Sequence, residues 1–199
     1  MGRRTEVRIT PFVAVLLFGM LLTDHSGVCL MTLLAALFHE CGHFAMARIL
    51  HIPLGNLRLD LLGARLEVRG RMLSYAEEWL LCAAGPMVSL ILAALGAALW
   101  SVPSISVFAR QFSCASLVLG LLNLLPIRTF DGGRMLETML LSRFSERVAQ
   151  GVMRTCSFLL LFLLWATAVY FLLRVGDGLS LFCFSMSLFS RFFEELEGV

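Results

Sequence analysis

The sequence predicts an all-α polytopic membrane protein of about six transmembrane helices, with a small interfacial β-hairpin between the second and third. Three observations carry that prediction. Of the 199 residues 59% are hydrophobic, the mean hydropathy is +0.86, and several apolar runs are long enough to cross a hydrocarbon core about 30 Å thick. All sixteen basic residues are arginine, and six spans with the N-terminus inside leave only Arg110 and Arg174 on the far side. Both termini are therefore expected in the cytoplasm. Between 51 and 75 the apolar character gives way to alternation of apolar and charged residues, a strand period rather than a helical one. No stretch remains for a sizeable soluble domain, so residues 1–199 read as one integral-membrane domain. The net charge of +2 matters less than its distribution, and no nucleic-acid partner is expected.

The basic start MGRRTEVR and the apolar run Ile9–Leu22 resemble the opening of a signal peptide. No small-x-small cleavage site follows; the next residues are Thr23, Asp24 and His25. A retained first span over 9–23 is expected, with His25 in a solvated loop. The second span, 27–50, contains LLAALFHECGHFAMARIL. His39 and His43 lie four apart, so both imidazoles share one helix face and can reach one metal ion. Glu40 stands beside them, and His-Glu-x-x-His is the arrangement in which two imidazoles hold Zn²⁺ while the glutamate takes a proton from water. Ionisable groups at membrane depth cost about 2.5–3.5 kcal/mol each on insertion scales, so such a cluster marks a function. Helix rise puts His39 about 18 Å and His43 about 24 Å from the outer end of this span. Cys41 faces the opposite way. The six cysteines form no CxxC pair and read as small hydrophobes.

Pro53 and Gly55 stop the second helix, and LRLDLLGARLEVRGRM predicts a hairpin over Leu57–Leu61 and Arg65–Val68. Two readings stand side by side: a connector that snorkels its arginines to headgroups, or a strand edge near Arg65 and Glu67 that pairs with an extended substrate segment. The third span, 79–100, is bracketed by Trp79 and Trp100, with Glu77 and Glu78 before it as solvated interfacial charges. Its Gly85-Pro86 is expected to break the helical ladder about 9 Å in, near the depth of His43. Such a break suits the wall of a water-filled cavity, or is a kink that only shapes packing.

A fourth span, 107–125, leads into NLLPIRTFDGG, which contains Asn123, Pro126, Asp131, Gly132 and Gly133. Asp-Gly-Gly alone is an ordinary turn. A catalytic Zn²⁺ wants three protein ligands, however, and the His-Glu-x-x-His motif supplies two, which makes Asp131 the candidate third. A short amphipathic helix over 134–144, a basic connector with Arg143, Arg147 and Arg154, and spans at 156–173 and 179–193 complete the chain.

With HECGH in one span and NLLPIRTFDGG after a later one, the chain resembles the site-2 protease family of intramembrane zinc metalloproteases (peptidase family M50). The resemblance implies His39, His43 and Asp131 as zinc ligands, Glu40 as general base, and Asn123 as a residue holding substrate or polarising the scissile carbonyl. Gly85-Pro86 looks like the family's helix-breaking element; where relatives often carry Asn three positions after that proline, this chain has Ser89. Phe130 stands where leucine is frequent.

The six spans look most like the sporulation stage IV FB subgroup, which processes a membrane-tethered pro-sigma factor. That subgroup usually carries a CBS domain after its last helix; none follows before Val199, so ATP control by that route is not expected. The partners implied are a membrane-tethered protein substrate, the lipid bilayer, and a membrane inhibitor or activator protein. The alternative is a divalent-metal transporter or sensor with an intramembrane His/Asp site. Its site should lie nearer mid-membrane and open to both sides. A surface-acting zincin would need a soluble catalytic domain, and the intact Glu40 argues against a silent adaptor.

Overall fold

The computed structural model describes residues 7–9, 24–52, 54–60, 63–68, 72–174 and 179–197. Apart from Ile9, the expected first span lies outside them. The chain divides into two compact units, Met1–Asn123 and Leu124–Val199.

In the first unit, helices α1 (Val28–Ile49), α2 (Tyr75–Ala98) and α3 (Ser106–Asn123) pack against one another. A three-stranded sheet accompanies them, in the order β1 (Val7–Ile9), β2 (Leu54–Asp60), β3 (Gly63–Val68). Strands β2 and β3 run antiparallel with Arg58 opposite Arg65 and Asp60 opposite Gly63, and the register shifts between Leu54 and Leu57. Strand β1 adds in parallel, Val7 opposite Leu57. That pairing corrects the sequence reading, in which Ile9 opened a helix.

Each end of α1 is fixed by local chemistry. The Asp24 carboxylate accepts from the Ser26 hydroxyl and amide and from the amides of Gly27, Cys29 and Leu30, gathering the donors a helix start leaves unpaired. The Ser26 hydroxyl, helped by the amides of Leu30, Cys29 and Ser26, holds its pKa below the usual carboxylate value, against a smaller opposing effect of burial. At the other end the Ile52 amide donates to the Ala47 carbonyl (2.9 Å) and His51 to Arg48 (3.1 Å), with His51 left-handed at φ 51°. This is a Schellman stop, and buried Ile52 packs with Ala47 and Leu81 beneath it.

Helix α2 starts at Tyr75, four residues before the expected Trp79, because Ser74 and Glu77 form a capping box: the Glu77 amide donates to the Ser74 hydroxyl at 3.3 Å and the Ser74 amide to the Glu77 carboxylate at 3.0 Å. Glu77 therefore has a structural task beyond that of a solvated charge. The expected break at Gly85-Pro86 does not occur; α2 runs unbroken through Pro86 to Ala98.

Small residues let the three helices approach. A Cβ on Gly42 would meet the Ala84 carbonyl oxygen at 2.8 Å, one on Gly96 the Ser113 Cβ at 2.9 Å, and one on Gly120 the Ser89 Cβ at 3.1 Å. Without a hydrophobic drive between helices in lipid, such close backbone contact is what holds a bundle together. Outward, Leu37, Ile91, Leu95 and Val107 are all exposed, as lipid-facing side chains would be.

In the second unit, a turn at 124–130 leads into α4 (Asp131–Leu141), then α5 (Glu146–Arg174) and α6 (Leu179–Glu197). The sequence placed α4 three residues later and treated 145–155 as a connector; in the structure Asp131-Gly132-Gly133 is the first turn of α4, and Arg147 and Arg154 are already inside α5. The two glycines are required: a Cβ on Gly132 would sit against the Leu124 carbonyl and one on Gly133 against the Ile127 carbonyl, so the turn lies directly on the helix start. The Arg128 amide donates to the Ser157 hydroxyl of α5 (3.1 Å), and Phe158 of α5 contacts Phe189 and Phe192 of α6.

Among the described residues three helices, α1, α2 and α5, are long and apolar enough to cross a bilayer, which makes this an integral membrane protein. Among the described residues, which leave out nearly all of the expected first span, the count of six is not reached. Arg110, Gln111 and Asn123 dilute α3, and Arg191 with three glutamates loads the end of α6.

Candidate metal centre

His39 and His43 sit one turn apart on α1, as their spacing requires, the first buried and the second half-buried. Their Nε2 atoms face each other at 3.3 Å. Two nitrogens bound at 2.0–2.1 Å to a tetrahedral zinc ion stand about 3.3–3.4 Å apart, so the pair is already spaced as ligands. The remaining ring nitrogens are held by α2. His43 Nδ1 lies 2.8 Å from the Leu81 carbonyl oxygen and His39 Nδ1 2.9 Å from the Ser89 hydroxyl, which is wholly buried. A carbonyl can only accept, so His43 Nδ1 carries the hydrogen, and neutral His43 turns the lone pair of Nε2 towards His39. Two facing imidazole nitrogens need a proton or a cation between them. The donor set thus fits the ion.

Gly85 lies between those two supports. A Cβ there would sit against His43 Nε2 and 2.7 Å from His39 Nε2, so the α2 backbone passes over the imidazole pair with no space for a methyl group. Gly85 and Pro86, which the sequence singled out as a helix break, matter here through close approach; Pro86 is buried in the same turn.

Glu40 is half-buried on α1 between the histidines in sequence. Asn123 ends α3, and its side-chain amide donates to the Leu119 carbonyl of its own helix (3.0 Å). In the second unit Pro126 is half-buried in the turn before α4, and Asp131, also half-buried, is the first residue of α4, where the positive end of the helix dipole favours a carboxylate. Arg65 and Glu67 both fall on β3. Ser89 is the site residue whose hydrogen-bonding role the sequence left open. A serine fifty positions from its histidine leaves no local pattern, and only the helix crossing reveals it.

Residues 96–164 match peptidase family M50, a segment that contains Asn123, Pro126 and Asp131 but not the histidines. The chain is 31% identical over 134 residues to a putative zinc metalloprotease, Rip3, of Mycobacterium tuberculosis, an alignment covering 64% of this chain and 34% of that protein. It is 31% identical over 138 residues to stage IV sporulation protein FB of Bacillus subtilis, covering 66% and 46%. The chain thus spans between a third and a half of the length of these curated relatives. In fold it is similar to the site-2 protease from Methanocaldococcus jannaschii, with TM-score 0.63, 19% identity, and 98% of this chain and 93% of that one covered.

Proposed function

We propose, from a chain that matches peptidase family M50 and bears a spaced imidazole pair beside a glutamate, that this protein is an intramembrane zinc metalloprotease. It hydrolyses a peptide bond within or next to the transmembrane segment of a membrane-tethered protein. The observation that carries the reading is the 3.3 Å separation of the two Nε2 atoms, with both Nδ1 atoms engaged by α2. We assign His39, His43 and Asp131 as the ligand set, two imidazole nitrogens and one carboxylate oxygen, on the donor chemistry that a catalytic zinc ion requires. Zinc bound there would lower the pKa of a water molecule towards about 7 and polarise the scissile carbonyl.

The chain's own residues do the rest. Glu40 accepts the proton of the attacking water as its oxygen bonds to the carbonyl carbon, then delivers that proton to the leaving amine as the C–N bond breaks. A helical substrate hides its carbonyls in its own hydrogen bonds, so it must unwind locally. Strand β3, at the edge of the sheet order, offers backbone for the extended segment around Arg65 and Glu67, and Asn123 and Pro126 act on the substrate side. We further assign six spans with both termini and the site's opening in the cytoplasm, on the arginine bias, and a membrane inhibitor or activator protein as regulator. Release of a membrane-held transcription factor is the setting this activity serves. No observation favours a metal transporter or sensor.

The test is co-expression with a panel of membrane-tethered reporters, alongside zinc analysis of the purified protein. Glu40→Gln should keep zinc and lose cleavage by at least about a hundredfold, as expected for a removed general base. Asp131→Ala should lose both. Cleavage by Glu40→Gln at the parent rate would overturn the assignment of the base, and absence of zinc from the parent would overturn the reading as a whole.

A further inference from the structure

On helix α2, Leu81, Gly85 and Ser89 recur at intervals of four, one residue per turn along a single face. On α1, His39 and His43 do the same. The stripes meet in antiparallel order: the Leu81 carbonyl against His43, the Ser89 hydroxyl against His39, and the bare Gly85 backbone between them over both Nε2 atoms. The two supports differ in kind. Any residue at position 81 would supply the same backbone carbonyl, whereas the contact to His39 exists only because position 89 has a hydroxyl.

We propose that Ser89 is a positioning residue for the metal centre: its hydroxyl oxygen accepts from His39 Nδ1–H and so holds the ring orientation that leaves His39 Nε2 as a ligand. The inference rests on the zinc reading above and extends it to a side chain on a different helix. Several observations converge on it. Ser89 is fully buried, so no water replaces its oxygen if the side chain is removed. Its Oγ lies 2.9 Å from Nδ1, within good hydrogen-bond range. Its Cβ is held on the far side by α3, where Gly120 approaches closely enough that an added Cβ would stand 3.1 Å away, so the serine has little room to move. A hydrogen bond from the non-ligating nitrogen makes an imidazole a better-oriented and more basic ligand, and losing such a partner typically costs about 10–100-fold in metal affinity.

A matched control is built into the same bundle. Ser116 on α3 is equally buried, and its hydroxyl has no hydrogen-bond partner among the described residues. Ser89→Ala and Ser116→Ala therefore delete the same atom from equally dry positions, and only one of them faces a histidine.

The experiment measures zinc affinity of the full chain in detergent or nanodiscs by competition with a chromophoric chelator, and the visible absorption of the Co²⁺-substituted protein. Ser89→Ala should weaken zinc binding by about 10–100-fold and alter the Co²⁺ bands, while Ser116→Ala leaves both unchanged. Should Ser89→Ala fail to fold, Ser89→Cys, similar in size with a poorly hydrogen-bonding sulfur, carries the same expectation. Parent-like affinity and parent-like Co²⁺ bands in the folded Ser89 variant would overturn the proposal, as would equal losses in the two alanine variants. His39→Ala separates this from the underlying reading. If it loses zinc while Ser89→Ala does not, the metal centre stands and the positioning role falls; if the parent binds no zinc, both fall.

Discussion

At the scale of the residue, Gly85 is the most demanding position. Both imidazoles are anchored at Nδ1, so they cannot swing aside to admit a methyl group, and alanine itself favours helix by about 1 kcal/mol over glycine. Gly85→Ala should therefore leave the far-ultraviolet circular dichroism unchanged while bound zinc falls from one equivalent towards none. A variant that keeps its zinc would mean that the rings relax more easily than their anchors imply. His39 and His43 were legible as a pair in the sequence because one helical turn brings their Nε2 atoms together. Gly85 was legible as a special position for the wrong reason: its neighbour Pro86 drew attention to a helix break, and the close approach to α1 depends on a crossing that no local spacing encodes. Ser89 was noticed only as a departure from its relatives.

At the scale of the element, helix ends were the least legible feature. Ser74 and Glu77 form a capping box ahead of the apolar run that marked the third span, and Asp131 opens α4 because Gly132 and Gly133 let the preceding turn lie on the helix backbone. Pro86 fits inside α2, contrary to its usual helix-breaking reputation. Asp24 offers a prediction at this level. Its carboxylate accepts from the amides that open α1, and its pKa is lowered in the folded protein. A depressed folded pKa means the stabilisation is complete above the ordinary carboxylate range and disappears as pH falls through the lowered value. Amide exchange at Gly27, Cys29 and Leu30, corrected for its intrinsic pH dependence, should thus stay slow at neutral pH and accelerate only in strong acid. In Asp24→Asn that acid-dependent step should be absent. An identical step in both proteins would assign the titration to another group.

At the scale of the whole molecule, membrane character was plain from composition, but the number of spans was not. Three described helices meet the length and apolarity that crossing requires; Arg110 and Gln111 in α3 and the charged end of α6 keep those two below it. Hydropathy reads each run alone, whereas a helix sheltered by its neighbours tolerates polar residues. Metal linkage gives a test that involves the folded chain as a unit. A ligand that binds only the folded state stabilises it by about 2.7 kcal/mol at a hundred times its dissociation constant. Zinc should raise the melting temperature of the parent in nanodiscs, a chelator should lower it, and neither should move His39→Ala. A parent indifferent to both would show that the imidazole pair does not bind the ion in the folded state.

The four-residue stripe on α2 has a consequence for transplantation. HECGH moved onto a helix of another protein would bring the two histidines without the carbonyl, the hydroxyl and the bare backbone that aim them. The imidazole pair keeps its aim only where the crossing of α1 and α2 travels with it, and a graft that copies only the motif should take up zinc poorly however well its helix folds.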